Sequence, residues 1–158
     1  MTTTTAAGLQ DWLLLGHILA AMVWIGGITV LGAFAVRILR GDDPGATGGF
    51  LASLRTIGPV VLAPAPVLLI ALGLWLVGES DAWDFGQLWV QIAIGLFAAA
   101  FLVGAAHQSR AAIAAERAAA RGDAGEARRQ LGRWAWGMGL IVVLLVAATW
   151  DMVFKPGL

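Results

Sequence analysis

Four long apolar runs, separated by clusters of charge, set the plan of this chain. They cover about residues 12–36, 58–77, 87–107 and 134–154, and each is flanked by charged residues: Asp11 and Arg37, Arg55 and Glu79, Asp84 and Arg110, Arg133 and Lys155. A helix needs about 20 mostly apolar residues to cross a bilayer, so the pattern predicts four spans. The run after His107, rich in Ala from Ala111 to Ala120, has high helix propensity. It predicts that the third helix continues into water until Gly122. Asp123, with Glu126 three residues on, is a capping signal and predicts a short separate helix there. Gly41 to Gly49, with four Gly and one Pro, reads as irregular. Pro59 falls at the predicted start of the second span, where proline is tolerated. Pro64 and Pro66 fall inside it, each removing a backbone donor and predicting a kink that faces the bundle.

Composition supports this frame. Apolar residues make up 59% of the 158 and charged residues 13%, against about 45–50% and about 25% in an ordinary soluble domain. A soluble globular domain and a disordered chain are both excluded. The chain has no Cys and a formal net charge of +0. This removes disulfides, thiolate metal sites and cysteine nucleophiles, and leaves no polybasic tract for nucleic acid. The reading is a single all-α domain over 1–158: an integral membrane four-helix bundle whose third helix extends into the cytoplasm.

Orientation follows from the basic residues. Arg37, Arg40, Arg55, Arg110, Arg117, Arg121, Arg128, Arg129 and Arg133 lie between spans one and two or between spans three and four, and Lys155 alone lies on the other side. Positive loops stay cytoplasmic. The expectation is a multi-pass protein of the bacterial cytoplasmic (inner) membrane with both termini outside. The first span, long and preceded by no Lys or Arg, does not read as a cleavable signal. Seven of the eight Trp fall near span ends, where their rings suit the headgroup level. Trp24 sits mid-span.

His17 is the leading candidate for chemistry, since an ionisable residue inside a span marks function by default. Ala20, Ala21 and Trp24 share its helix face, and Gly16, Ala20 and Gly27 form a stripe of small residues beside it. Small residues admit a neighbouring helix, or a flat cofactor. The plain alternative is a neutral His bonded to a carbonyl near the interface, and for His107, at the inner end of span three, that alternative is the expectation. From the helical rise, the two rings differ in depth by roughly 20 Å, too far to share one iron. Span four brings Met138 to the level of His107, and Asp151 and Met152 to the level of His17. His–Met is a known haem ligation, and imidazole with thioether suits copper.

The pattern His17-x6-Trp24-x-Gly26-Gly27, with Asp151-Met152-Val153-Phe154-Lys155-Pro156-Gly157 at the end, resembles an uncharacterised family of predicted bacterial integral membrane proteins, a domain of unknown function. More distantly, the His-x6-Trp first span, the second-span pattern Pro64-x8-Gly73-x-Trp75-Leu76 and Lys155-Pro156 resemble the HemJ-type protoporphyrinogen oxidases. That likeness implies haem and a functional role for His17. The chain departs from those enzymes at Gln91, where they carry a Lys, which speaks against porphyrinogen oxidation itself. The first span also resembles the membrane domain of the copper-resistance D family, which implies copper handling.

Three readings follow. The favoured one is a b-type haem or related tetrapyrrole held by His17, Ala20, Trp24, Gly27 and Met152, with a redox role. The second is a copper or divalent-cation site of His17, Asp151 and Met152. The third is a small subunit without cofactor, packing through its Gly and Ala stripes against a membrane partner or a second copy.

Overall fold

The computed structural model describes residues 8–41 and 43–157. Helix α1 spans Leu9–Arg40. The second rod is α2 (Pro44–Ile57), a π-helical segment (Gly58–Leu62) and α3 (Pro64–Gly78). The third is α4 (Leu88–Leu102), a π-helical segment (Val103–Gln108) and α5 (Ser109–Ala120). The fourth is α6 (Ala124–Phe154). All four rods are long and apolar enough to cross a membrane. At 1.5 Å per residue, the 32 residues of α1 reach about 48 Å, more than the roughly 30 Å of hydrocarbon. The rods therefore project beyond it.

The faces of the rods identify their solvent. On α1, Leu13, Trp24, Ile28 and Ala35 are buried, while Leu15, Leu19, Met22, Val23 and Val30 are exposed. On α6, Val143, Val146, Val153 and Phe154 are exposed. Apolar surface on this scale is a liability in water and the ordinary outer face of a bundle in lipid.

The third helix runs on past His107 to Ala120, as its alanines predict. Two other expectations are corrected. Within Gly41–Gly49, residues 44–49 are helical rather than irregular, and Asp42 lies outside the described residues. Asp43 caps α2 by accepting from the Gly45 N–H at 2.8 Å, and Pro44 occupies the first turn, where a missing N–H costs nothing. This cap outweighs the glycines, and it makes Pro59 an interior residue of the second rod. Nor is there a short separate helix after Asp123. Asp123 does cap, accepting from the Glu126 N–H at 2.9 Å. The helix it starts continues without a break through span four, because Ala127, Leu131 and Trp134 form one buried stripe. Ala111, Ala115 and Ala118 are its buried counterparts on α5. Gly122, at φ +75°, makes the turn between the two, a conformation that costs glycine little.

The prolines explain the first π segment. Pro59 denies a donor to the Arg55 carbonyl, and Pro64 and Pro66 deny donors to Val60 and Leu62. The backbone widens by one residue between them, and the Ala63 N–H donates to the Gly58 carbonyl at 3.0 Å. The predicted disturbance is thus a π bulge. The second π segment contains no proline. There the Ser109 N–H and hydroxyl both turn to the Gly104 carbonyl.

Two ends can be told apart. The acidic end carries the start of α1, the loop of residues 79–87 and the end of α6. The basic end carries the end of α1, the start of α2 and the 121–123 turn. At the basic end the Arg128 guanidinium donates to the carbonyls of Gly41, at 2.7 Å, and Leu39, tying the C-terminus of α1 to α6. A cation there also opposes the negative end of the helix dipole.

Packing leaves one seam. α1 packs along α3, and α6 packs along α1, α4 and α5. α3 and α4, although consecutive, do not pack along one another. Spans one and four floor the cleft between spans two and three.

Candidate functional site

Two cavities line that seam. The one toward the acidic end has a volume of about 340 Å³ and is walled by Leu69 and Gly73 of span two, Val90, Ala93 and Phe97 of span three, Leu145 and Met152 of span four, and His17 of span one. Trp83, Trp89 and Lys155 stand at its end. The larger, toward the basic end, has a volume of about 720 Å³. Trp24 borders the larger cavity and Phe97 the smaller. Their rings meet at 5.7 Å between centroids, an aromatic contact where the two spaces adjoin.

His17 is half-buried, and its Nδ1 lies 3.0 Å from the Leu69 carbonyl. A carbonyl only accepts, so Nδ1 carries the proton and donates. Nε2 is left with its lone pair free, and it makes no hydrogen bond among the described residues. The ring reaches Leu69 because the next turn of span two carries Gly73. A β-carbon at 73 would stand 2.9 Å from the His17 Cε1. A donated ring N–H fixes the tautomer and the ring's orientation, the arrangement usual for a ligating histidine.

The expected companions divide. Met152 joins His17 on the cavity wall. Asp151, at the predicted level, is not on that wall. It is 1% exposed, and its Oδ2 has no hydrogen-bond partner among the described residues. The small-residue stripe does not leave room for a flat ring. Leu72 of span two fills the space at Gly16 (3.2 Å from a would-be β-carbon), and Leu62 fills the space at Gly27 (3.6 Å). Ala20 packs against the core around Trp24. These residues seat span two on span one, and the open space lies on the other side of His17, toward span three. Trp24 is buried and borders the larger cavity instead.

His107 takes the plain course. Its Nε2 meets the Arg133 carbonyl at 3.1 Å, and its ring lies over Gly137, whose added β-carbon would stand 2.7 Å from Cδ2. Met138, expected at this level, is buried in the core one residue away. Gln91 holds the acidic-end loop, donating to the carbonyls of Phe85 and Gly86 at 3.4 Å. Among the described residues, no three His, Asp or Glu side chains gather where a metal would sit.

Sequence reasoning missed three participants. Gly73 was legible only as a spacing, not as the seat of a ring. Lys155 was a loop charge. Its Nζ lies 4.6 Å from the Trp83 ring centroid and 5.4 Å from that of Trp89, a cation held by two aromatic faces at the end of the cavity. Gln108, beyond the predicted end of span three, is 5% exposed with both amide atoms unpartnered among the described residues. Such burial costs on the order of 1–3 kcal/mol.

Four apolar rods, lipid-like outer faces and a cleft between two of them define a multi-pass membrane helical bundle. Residues 11–156 match the family of predicted integral membrane proteins designated DUF2269, and the chain belongs to it. No curated protein and no solved structure matches the chain.

Proposed function

We propose that this is a redox protein of the bacterial cytoplasmic membrane that binds a b-type haem or related tetrapyrrole in the acidic-end cavity, where His17 would hold it through Nε2. The single observation that supports it is the His17 ring, held by the Leu69 carbonyl at 3.0 Å with its other nitrogen free on a cavity wall. The residues fit such a group. The walls are apolar, the volume of about 340 Å³ falls within the range of about 300–1,000 Å³ for ligand clefts, and the seam lets a ring edge extend toward lipid. Met152 supplies a thioether on the same wall, and Lys155 a cation for a ring carboxylate. Bound there, the group would supply one-electron chemistry, while the protein holds the ring, excludes water and fixes the orientation of the His17 imidazole. The orientation that goes with this reading puts the nine arginines in the cytoplasm, with the start of α1 and the end of α6 outside. An absorbance spectrum of protein made with ample haem tests it through the Soret band.

A second reading is copper, because His17 and Met152, an imidazole and a thioether that both suit copper, border one cavity. Metal analysis separates the two. A cofactor-free packing subunit is the third. A β-carbon at Gly26, Gly95 or Gly139 would meet nothing within 4 Å, so these glycines present close-approach surface to a membrane partner or second copy.

A further inference from the structure

The larger cavity is built differently, and its features point to a second ligand. Both π-helical segments border it, Gly58 to Leu62 from span two and Gly104 to Gln108 from span three. π bulges are rare and occur frequently at functional sites. Here two of them, on neighbouring rods whose α3 and α4 parts do not pack along one another, meet at one space of about 720 Å³. Gln108 borders that space. The residue is 5% exposed, and its Nε2 and Oε1, buried against Gly137, have no hydrogen-bond partner among the described residues. Buried polar groups are ordinarily paired, so an unpartnered amide on a residue that lines a cavity is the group a polar ligand would satisfy, once the side chain turns from Gly137 toward the space. The remaining walls are apolar and aromatic, with Phe101 and Trp134 among them. Arg55 and Glu116, of opposite charge, both border the cavity, so the lining favours no net charge.

We infer that this cavity binds a lipid-soluble molecule with a neutral head carrying a carbonyl or hydroxyl group, hydrogen-bonded by Gln108, and an apolar tail. The molecule enters between α3 and α4, which do not pack along one another. Two sources carry this head chemistry: a quinone, and a neutral glycerolipid such as diacylglycerol. The site does not depend on the tetrapyrrole reading. Trp24 and Phe97 lie between the two cavities, and His17 borders only the other one.

The test is native mass spectrometry of the full-length protein released from detergent, titrated separately with decylubiquinone and with dioctanoylglycerol. Saturable uptake of one molecule per chain is expected for at least one probe, and the probe that binds assigns the source. Gln108→Leu should weaken that uptake by about tenfold, the loss of one buried hydrogen bond. Its melting temperature should stay at or above the wild-type value, since an unpartnered amide has been removed. Gly104→Leu should abolish uptake by filling the cavity. A β-carbon there meets only Ile141 Cδ1, at 3.9 Å, so the helix tolerates it, and this variant keeps the test decisive should Gln108→Leu fail to fold. His17→Ala should bind both probes as wild type does. Uptake by neither probe, wild-type uptake in Gly104→Leu, or loss of uptake in His17→Ala would each overturn the inference.

Discussion

The ring of His17 lies over Gly73, one turn beyond the Leu69 carbonyl to which its Nδ1–H donates. His107 repeats the relationship with Gly137 and the Arg133 carbonyl. In each case the accepting carbonyl and the glycine are four residues apart on the partner helix. The carbonyl of residue i already accepts from the N–H of residue i+4, and a β-carbon at i+4 would block a second donor. Glycine there opens the approach. Each histidine thus joins consecutive rods, span one to span two and span three to span four.

Gly73→Ala places a β-carbon 2.9 Å from the His17 ring and should swing the ring off Leu69. The expected cost is about 1–3 kcal/mol, read as a lower unfolding midpoint in detergent. Adding His17→Ala should recover most of it, because the clash needs both partners. A double variant as unstable as the sum of the singles would show that the two do not touch.

Gly137→Val meets the His107 ring and the Gln108 amide together, with contacts of 2.7 and 3.0 Å at the β-carbon alone. It should destabilise by a similar amount, about 1–3 kcal/mol. Its effect on the acidic-end cavity should be nil. Thermal unfolding reads the first expectation and the haem spectrum the second.

Arg128→Met removes the charge-assisted bonds to Gly41 and Leu39 while keeping an apolar stem. Such bonds contribute about 1.5–3 kcal/mol, and the change should appear as faster amide hydrogen exchange in the last turn of α1. Unchanged exchange there would mean that the guanidinium does not cap the helix.

The chain has no Cys, so single cysteines report sidedness cleanly. In intact cells Asp81→Cys should react with a membrane-impermeant thiol reagent, and Gly125→Cys only after lysis. The reverse pattern would invert the orientation.

Much of the bundle is legible because it depends on local pattern. Apolar run length gives the four rods, alanine content carries α5 to Ala120, and rise per residue brings Met152 level with His17 and Met138 level with His107. What escapes depends on neighbours. The Asp43–Pro44 cap is local, yet four glycines mask it. The continuity of α6 through residues 131–134 comes from packing on the alanines of α5. The seat at Gly73 requires knowing that span two lies against span one. The same packing fills the Gly16 and Gly27 stripe with leucines. Gln108 hides because a polar residue at a span end reads as an interface residue, and only packing against Gly137 of span four reveals that it is buried.

The central claim, a tetrapyrrole on His17, is tested most directly by the visible absorbance of purified protein made with ample haem. The predicted result is a Soret band that His17→Ala abolishes while the protein remains in the membrane. His107→Ala should leave the band nearly intact, since that ring bonds span four and borders neither cavity of the seam. Met152→Leu should shift the band if the thioether also holds the group. No band in the wild type, or a band lost in His107→Ala and kept in His17→Ala, would contradict the account.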